Sequence, residues 1–295
     1  IFFSTSKEAS FVFNAKLLLF SLLPPFAADL FTKGKIQQKA IFVLVFSASW
    51  QALLLILQFF KQGSIGLGIL GERSFDSSTV LIANSNVFGS YLLRPYGTFP
   101  HPNVAAAFLV FTLVVLSPTL KKKLNFKKML FLTTTVLALS LTYSKSALFI
   151  LVFTILSLST NLKNLLMFLV PASFIGLWLF FQLISNQIPS IAERLLLAQA
   201  SLDLTLKNPL FGLGSNNFID QLSKLNLFSL SQTRLLQPVH NVFLLILAEN
   251  GLIGLMLFAL FLLNLTKYLT NKLKISLFLS ILFYFSVDHF VWTLH

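Results

Sequence analysis

The chain has 295 residues and 33.1 kDa, of which 56% are hydrophobic and 11% charged, with a mean hydropathy of +0.83. Soluble domains carry about 25% charged residues, so an ordinary water-soluble enzyme is excluded. Its 22 Lys+Arg against 9 Asp+Glu give a net charge of +13. Most of the lysines fall in short connections between apolar runs and therefore read as topology signals rather than nucleic-acid contacts. The chain has no cysteine, which removes disulfides, thiolate metal sites and thiol nucleophiles.

In chain order, apolar runs occupy 11–31, 40–60, 104–118, 129–141, 147–159, 165–184, 242–265 and 275–293. A full crossing needs about 20 residues, so the fourth and fifth read as a short hairpin whose turn, Ser144-Lys145-Ser146, dips below the membrane surface. The expected fold is all-α: a polytopic transmembrane helical bundle of about eight spans, forming a single transmembrane domain over 1–295. The chain starts at Ile1 without a methionine and stops at His295 just after an apolar run, so it reads as a fragment truncated at both ends.

Alternate connections differ in charge. One set carries Lys33, Lys35 and Lys39, then Lys121, Lys122, Lys123, Lys127 and Lys128, then Lys163, then Lys267, Lys272 and Lys274, with no acidic residue among them. The other set mixes signs: Glu72, Arg73, Asp76 and Arg94, then Lys145, then Glu193, Arg194, Asp203, Lys207, Asp220, Lys224 and Arg234. The positive-inside rule places the first set in the cytoplasm, and all eight spans then alternate without conflict. Two extracytoplasmic segments, 61–103 and 185–241, are too long to be mere connectors. The second is expected to be partly helical, because Ile191, Leu195, Ala198 and Leu202 recur at helical spacing.

Ionisable residues near a bilayer are costly, so each one at a span end is a functional candidate. The first group is Pro238-Val239-His240-Asn241, directly before the long seventh span. Imidazole titrates near neutrality and can accept a hydroxyl proton there; the plain alternative is an interfacial histidine with no catalytic task. Glu249 lies two to three turns along the same helix, roughly 13 Å deeper at 1.5 Å per residue, and is expected to bond to neighbouring helices. A second group is Glu193-Arg194 followed by Asn208-Pro209-Leu210-Phe211-Gly212-Leu213-Gly214-Ser215-Asn216-Asn217-Phe218. Arginine presents a planar fork suited to phosphate oxygens, although Arg194 can equally pair with Asp203 or a lipid headgroup. The third group holds Lys145 at the hairpin tip, where a charge calls for an answering anion; a stem that snorkels to the interface is the alternative. The fourth is Arg94 through Asn103, in which Arg94, His101 and Asn103 supply polar heads on a course fixed by prolines; a rigid span entry is the alternative.

Gly66-Leu67-Gly68-Ile69-Leu70-Gly71 matches the dinucleotide pattern G-x-G-x-x-G. It has no preceding strand and no acid about 20 residues later, and it lies outside the cytoplasm, so we reject it. No P-loop, no H-E-x-x-H and no metal-spaced His/carboxylate cluster occurs, and neither cofactor nor metal is expected. Without a nucleotide site, group transfer on the outer side requires a donor already activated in the membrane.

The stretches "RPYGTFPHPNVAAAFLV", "LALSLTYSKSALFIL", "ERLLLAQASLDLTLKNPLFGLGSNNF" and "HNVFLLILAENGLIGLMLFALFL" together resemble the O-antigen ligase and polymerase superfamily of bacterial envelope glycan enzymes. The C-terminal "DHFVWTLH" looks like the ending of some relatives, where a short further span follows. The resemblance implies a multi-pass glycosyltransferase of the cytoplasmic (inner) membrane, acting on its outer face. Its implied partners are a polyprenyl diphosphate-linked glycan donor, usually undecaprenyl diphosphate, a hydroxyl-bearing acceptor (lipid, glycan or protein) and the bilayer, with no nucleic acid. It also implies inversion at the anomeric centre without a metal ion, His240 as catalytic residue and Arg194 as the holder of the diphosphate. The hairpin arginine usual in the family is Lys145 here, which keeps the charge and loses the bidentate geometry. Lys145 and Arg94, with Asn241, His101 and Asn103, are expected to bind the diphosphate or glycan. A polysaccharide polymerase of the same superfamily is the nearest alternative. A lipid-linked glycan transporter or flippase is a more distant one, since it would place facing charges near the midplane of repeated halves.

Overall fold

The computed structural model describes residues 4–31, 34–87, 89–120, 125–158, 188–225, 236–290 and 292–293. The expected sixth span at 165–184 lies outside the described residues, as do Lys33, Lys121, Lys122, Lys123, Lys163 and Arg234. The described chain is mostly helical. Its α-helices are α1 (Lys7–Phe31), α2 (Gly34–Lys61), α3 (Pro102–Leu120), α4 (Phe126–Leu141), α5 (Lys145–Leu158), α6 (Ile188–Lys207), α7 (Phe218–Ser223), α8 (Val242–Leu265) and α9 (Lys272–Val287).

The expected mostly helical fold holds over the described residues, with one short β-hairpin added. Among the described residues, two helices are long and apolar enough to cross a membrane, Gly34–Lys61 and Val242–Tyr268; Pro102–Pro118 and Lys145–Thr154 are shorter apolar helices. The eighth apolar run is helical only to Val287, after which Asp288, His289 and Phe290 leave the helix. Within 61–103, the strands β1 (Asn84–Val87) and β2 (Ser90–Leu93) pair antiparallel around Gly89, whose φ of 85° suits glycine. Four residues per strand are too few for a period-2 pattern to stand out in the sequence.

The chain divides into two compact units. The first comprises Ile1–Lys33, Ile188–Thr270 and Ile281–His295; the second comprises Gly34–Gln187 and Asn271–Ser280.

In the second unit, α3 packs against α2, α4 and α5. Its alanines Ala105, Ala106 and Ala107 are buried and let neighbouring backbones approach. Two glutamines inside the long apolar helix α2 give the 96–98 stretch its course. Gln58 Oε1 accepts from the backbone N–H groups of Tyr96 (2.9 Å) and Gly97 (2.7 Å), while Gln51 Oε1 accepts from Thr98 N–H at 3.1 Å. A Cβ on Gly97, whose φ is +62°, would lie 2.5 Å from Gln51 Oε1, so the close approach requires glycine. The buried Tyr96 hydroxyl in turn accepts from Ala83 N–H at 2.8 Å, tying the hairpin to the same stretch.

In the first unit, α6 packs on α8, with α7 touching both. The helical expectation for 185–241 holds over Ile188–Lys207, but the inward stripe differs from the expected one. Leu197, Ala200, Ser201 and Leu204 are buried, whereas Leu195 and Leu202 are exposed. Both stripes have helical spacing and similar apolarity, so periodicity alone does not choose between them. The inward set is the one offering small residues at 200 and 201 for close packing on α8, where Ser201 Oγ donates to Leu244 O at 3.0 Å.

Candidate active site

Helix α8 begins where the Asn241 side chain accepts the Leu244 N–H at 3.0 Å, an N-cap that satisfies one of the helix's orphan donors. Val239 before it is buried, so His240 is held at the helix mouth between a packed residue and a cap. Its Nδ1 is buried and has no hydrogen-bond partner among the described residues. Burial pushes the imidazole down from its ordinary 6.5 to about 4; Asp288 opposes this shift, and Arg194 and His289 add to it. The ring is therefore neutral near pH 7.

Arg194 extends from the exposed side of α6 and donates through Nη1 to Val287 O at 3.0 Å. Asn241 Nδ2 donates to Ser286 O at 3.2 Å. Both carbonyls belong to the last turn of α9, where helix geometry leaves acceptors without an intrahelical partner and favours a nearby cation. His289, just beyond that helix, packs its ring T-shaped against His240, with centroids 5.3 Å apart and planes at 78°. The first unit thus gathers His240, Arg194 and Asn241 around the end of α9.

Deeper along α8 the helix is broken. Gly251 adopts φ 66° and ψ −170°, a conformation reserved for glycine. The Asn208–Gly214 turn docks into the break and exchanges backbone hydrogen bonds with it. Leu213 and Gly214 N–H donate to Ala248 O and Glu249 O at 3.0 and 2.7 Å, while Leu252 and Ile253 N–H donate to Pro209 O and Leu210 O at 2.8 and 3.3 Å. Contact is so close that a Cβ on Gly212 would lie 2.4 Å from the Glu249 carbonyl carbon, and one on Gly251 2.3 Å from that of Leu210. The buried Glu249 carboxylate accepts from Phe218 N–H at 3.3 Å, so Glu249 serves this docking, as a residue bonding to its neighbours. Thr5 and Ser10 join in: Ser10 Oγ donates to Ser215 O at 2.8 Å, and Thr5 N–H to Leu213 O at 2.9 Å.

The second unit holds the remaining candidates. Arg94 Nε donates to Thr142 O at 2.7 Å and Nη2 to Asn103 Oδ1 at 2.6 Å, so the guanidinium bridges the span entry and the α4–α5 tip. His101 Nδ1 accepts from Asn103 N–H at 3.1 Å, and its ring meets Tyr96 edge-on at 6.2 Å. Lys145 is the first residue of α5, and the tip before it turns at Tyr143, whose φ is 54°. The glycine loop 66–71 is occupied by the protein's own anion: Glu72 accepts from the N–H groups of Ile65, Gly66 and Leu67 and from Gln58. Burial alone would raise the Glu72 carboxyl, but these bonds outweigh it and hold it below its ordinary value.

Sequence reasoning missed Gln51 and Gln58, whose signal was two amides seven residues apart in an apolar run. It also passed over Asp288 and His289 as site residues. Among the described residues, no group of three or more His, Asp or Glu side chains is placed to hold a metal ion.

Two of the described helices are long and apolar enough to cross a membrane. Residues 103–259, more than half of the chain, match the family model described as O-antigen ligase, and the chain belongs to that family. Family membership makes it an integral membrane protein of the bacterial envelope that processes glycans. The matched residues contain Asn103, Lys145, Arg194, His240 and Asn241; Arg94 and His101 precede them, and Asp288 and His289 follow. No curated protein and no solved structure matches the chain.

Proposed function

We propose that the protein is an O-antigen ligase-like glycosyltransferase that moves an oligo- or polysaccharide from a polyprenyl diphosphate, such as undecaprenyl diphosphate, to an acceptor hydroxyl on the outer face of the cytoplasmic membrane. The single observation that carries this is a half-buried imidazole, His240, at a capped helix mouth, where the Arg194 guanidinium and the Asn241 amide both bond to the last turn of α9. His240 takes the acceptor's proton as its oxygen attacks the anomeric carbon from the face opposite the leaving group, which inverts that centre without requiring a metal ion. The carrier diphosphate departs with the electron pair of the broken C–O bond. A fixed cation at its oxygens lowers the barrier as charge develops, the role assigned to Arg194. Lys145 and Arg94 are further contacts to the anionic donor, and Asn241, His101 and Asn103 are polar contacts to diphosphate or glycan, each to be tested by its own substitution.

The test is transfer in reconstituted membranes from a defined polyprenyl-diphosphate glycan, with released carrier diphosphate followed by mass spectrometry. His240→Ala should insert normally and release no carrier diphosphate above background. Undiminished release would remove His240 from the reaction. Supplying a lipid or protein acceptor in one arm and only carrier-linked glycan in the other separates ligase from polymerase.

A further inference from the structure

The glycine-rich loop that follows α2 turns back to the helix it leaves. Gln62 takes φ 55°, with Gly63 N–H donating to Gln58 O at 3.2 Å and Gln62 N–H to Phe59 O at 3.3 Å, a Schellman turn that ends α2. Glu72 then returns to the last turn of the helix, where its Oε1 accepts from Gln58 Nε2 at 2.8 Å. Gln58 lies about 4.5 Å before Lys61 at 1.5 Å per residue, so the base of the loop is held at the level of that last turn. The helix is long and apolar enough to cross a membrane, and Leu53, Leu57 and Phe60 on it are exposed at helical spacing. Between Lys61 and Glu72 the chain carries no charged side chain. At the tip of the loop, the 3-10 turn Gly68–Leu70, Ile69 is fully exposed and Leu70 is 56% exposed.

The same loop pairs its own backbone. Ile65, Gly66 and Leu67 N–H donate to the Glu72 carboxylate at 2.6, 2.9 and 2.5 Å, and Ser64 N–H donates to Phe75 O at 2.9 Å. Leu70 and Glu72 N–H both donate to Leu67 O, at 2.9 and 3.3 Å, and Gly71 N–H donates to Gly68 O at 3.0 Å. The Glu72 side chain is 7% exposed, so its charge is turned inward. Peptide groups that meet lipid must find their partners inside the protein, whereas in water the solvent supplies them. We infer that loop 65–71 is a membrane anchor. Ile69 and Leu70 insert among the acyl chains of the leaflet at which α2 ends, the outer leaflet in the proposed orientation, and Glu72 is the internal acceptor that lets the backbone follow them. Lipid is the occupant because the loop is fixed to the end of α2, where the bilayer is the apolar phase already facing Leu57 and Phe60. Gln58 also accepts the Tyr96 and Gly97 N–H groups, so the anchor and the stretch leading from Arg94 share one post in α2.

The chain has no cysteine, so Ile69→Cys, Leu70→Cys, Leu57→Cys and Ser78→Cys can each carry a single nitroxide in nanodiscs of phosphatidylethanolamine and phosphatidylglycerol. Two relaxing agents then report the surroundings of each label: molecular oxygen, which concentrates in hydrocarbon, and a neutral nickel chelate, which stays in water. The oxygen-to-nickel collision ratio for Ile69→Cys and Leu70→Cys should match that of Leu57→Cys and lie severalfold above that of Ser78→Cys. A ratio equal to that of Ser78→Cys overturns the inference, because the loop then stands in water. Weak collision with both agents also overturns it, because a second copy or another protein then covers the tip. Adding Glu72→Ala to Ile69→Cys should lower the ratio severalfold toward that of Ser78→Cys, since the N–H groups of 65–67 then call for water, while Leu57→Cys keeps its ratio in the same background. A ratio that stays put at 69, or falls equally at 57, overturns the part given to Glu72. None of these labels reports on transfer, so their failure leaves the transferase proposal standing, and an active His240→Ala leaves the anchor standing.

Discussion

His240 meets two demands at one ring. Its desolvation makes the neutral form dominant near pH 7, and its position before the Asn241 cap holds the ring at the mouth of α8. A base acts only when unprotonated, so the acid limb of kcat/KM against pH should fall near the His240 value of about 4, well below the ordinary 6.5. A limb centred at the ordinary value in proteoliposomes would mean that another group takes the proton. Arg194 contributes differently, with one Nη1 bond to the end of α9 and its remaining donors available to an anion. Arg194→Ala should cost about 100-fold in kcat, the scale seen when one preorganised donor to a developing anion is removed. Arg194→Lys should recover part of this, since it restores the charge without the planar fork; steady-state kinetics on both variants checks it.

The element scale is governed by the break in α8. A helix interrupted within an apolar span leaves backbone groups that hydrocarbon cannot satisfy, and the Asn208–Gly214 turn supplies partners for four of them. Gly251→Ala would place a side chain in a glycine-only conformation and against the Leu210 carbonyl carbon. We expect a loss of about 2–5 kcal/mol of stability, read as a lowered Tm by thermal unfolding in detergent. An alanine variant melting with the wild type would contradict the docking geometry. The same feature explains what was legible in the sequence. "NPLFGLG" and "ENGLIGL" stood out as a pair because each glycine is needed for the other's backbone to come close. The turn into Asp288 and His289 was not legible, because the apolar run continues through Phe290, Val291 and Trp292 and hides the end of α9. On α6, helical spacing was correct but the inward face was not, since Ser201 faces α8 while Leu195 and Leu202 face out.

At the scale of the whole molecule, charge placement is the governing fact. Helices α2 and α4 and the start of α9, all in the second unit, begin on Lys35, on Lys127 and Lys128, and on Lys272 and Lys274. Cations in a first turn oppose the helix dipole by about 0.3–1 kcal/mol each, so local helix stability does not account for them. In the proposed orientation they would face an anionic cytoplasmic leaflet, an attraction of about 1 kcal/mol per lysine. The absence of native cysteine makes this directly testable. Single cysteines replacing Ser78 and Ser223 should react with a membrane-impermeant maleimide added outside intact spheroplasts, and cysteines replacing Lys127 and Lys272 only after lysis. The reverse pattern would invert the proposed orientation. The hairpin and glycine loop of 61–103 were readable only as a long loop, because their course depends on Gln51, Gln58 and Glu72, each too distant in sequence from its partners to leave a local pattern.

The docked turn precedes the interrupted span in the chain by about thirty residues, at 208–214 against 242–265. During synthesis the plug therefore leaves the ribosome first, and the gap it fills follows. The bilayer need never harbour an open seam, provided the earlier segment has already been translocated when the later one arrives.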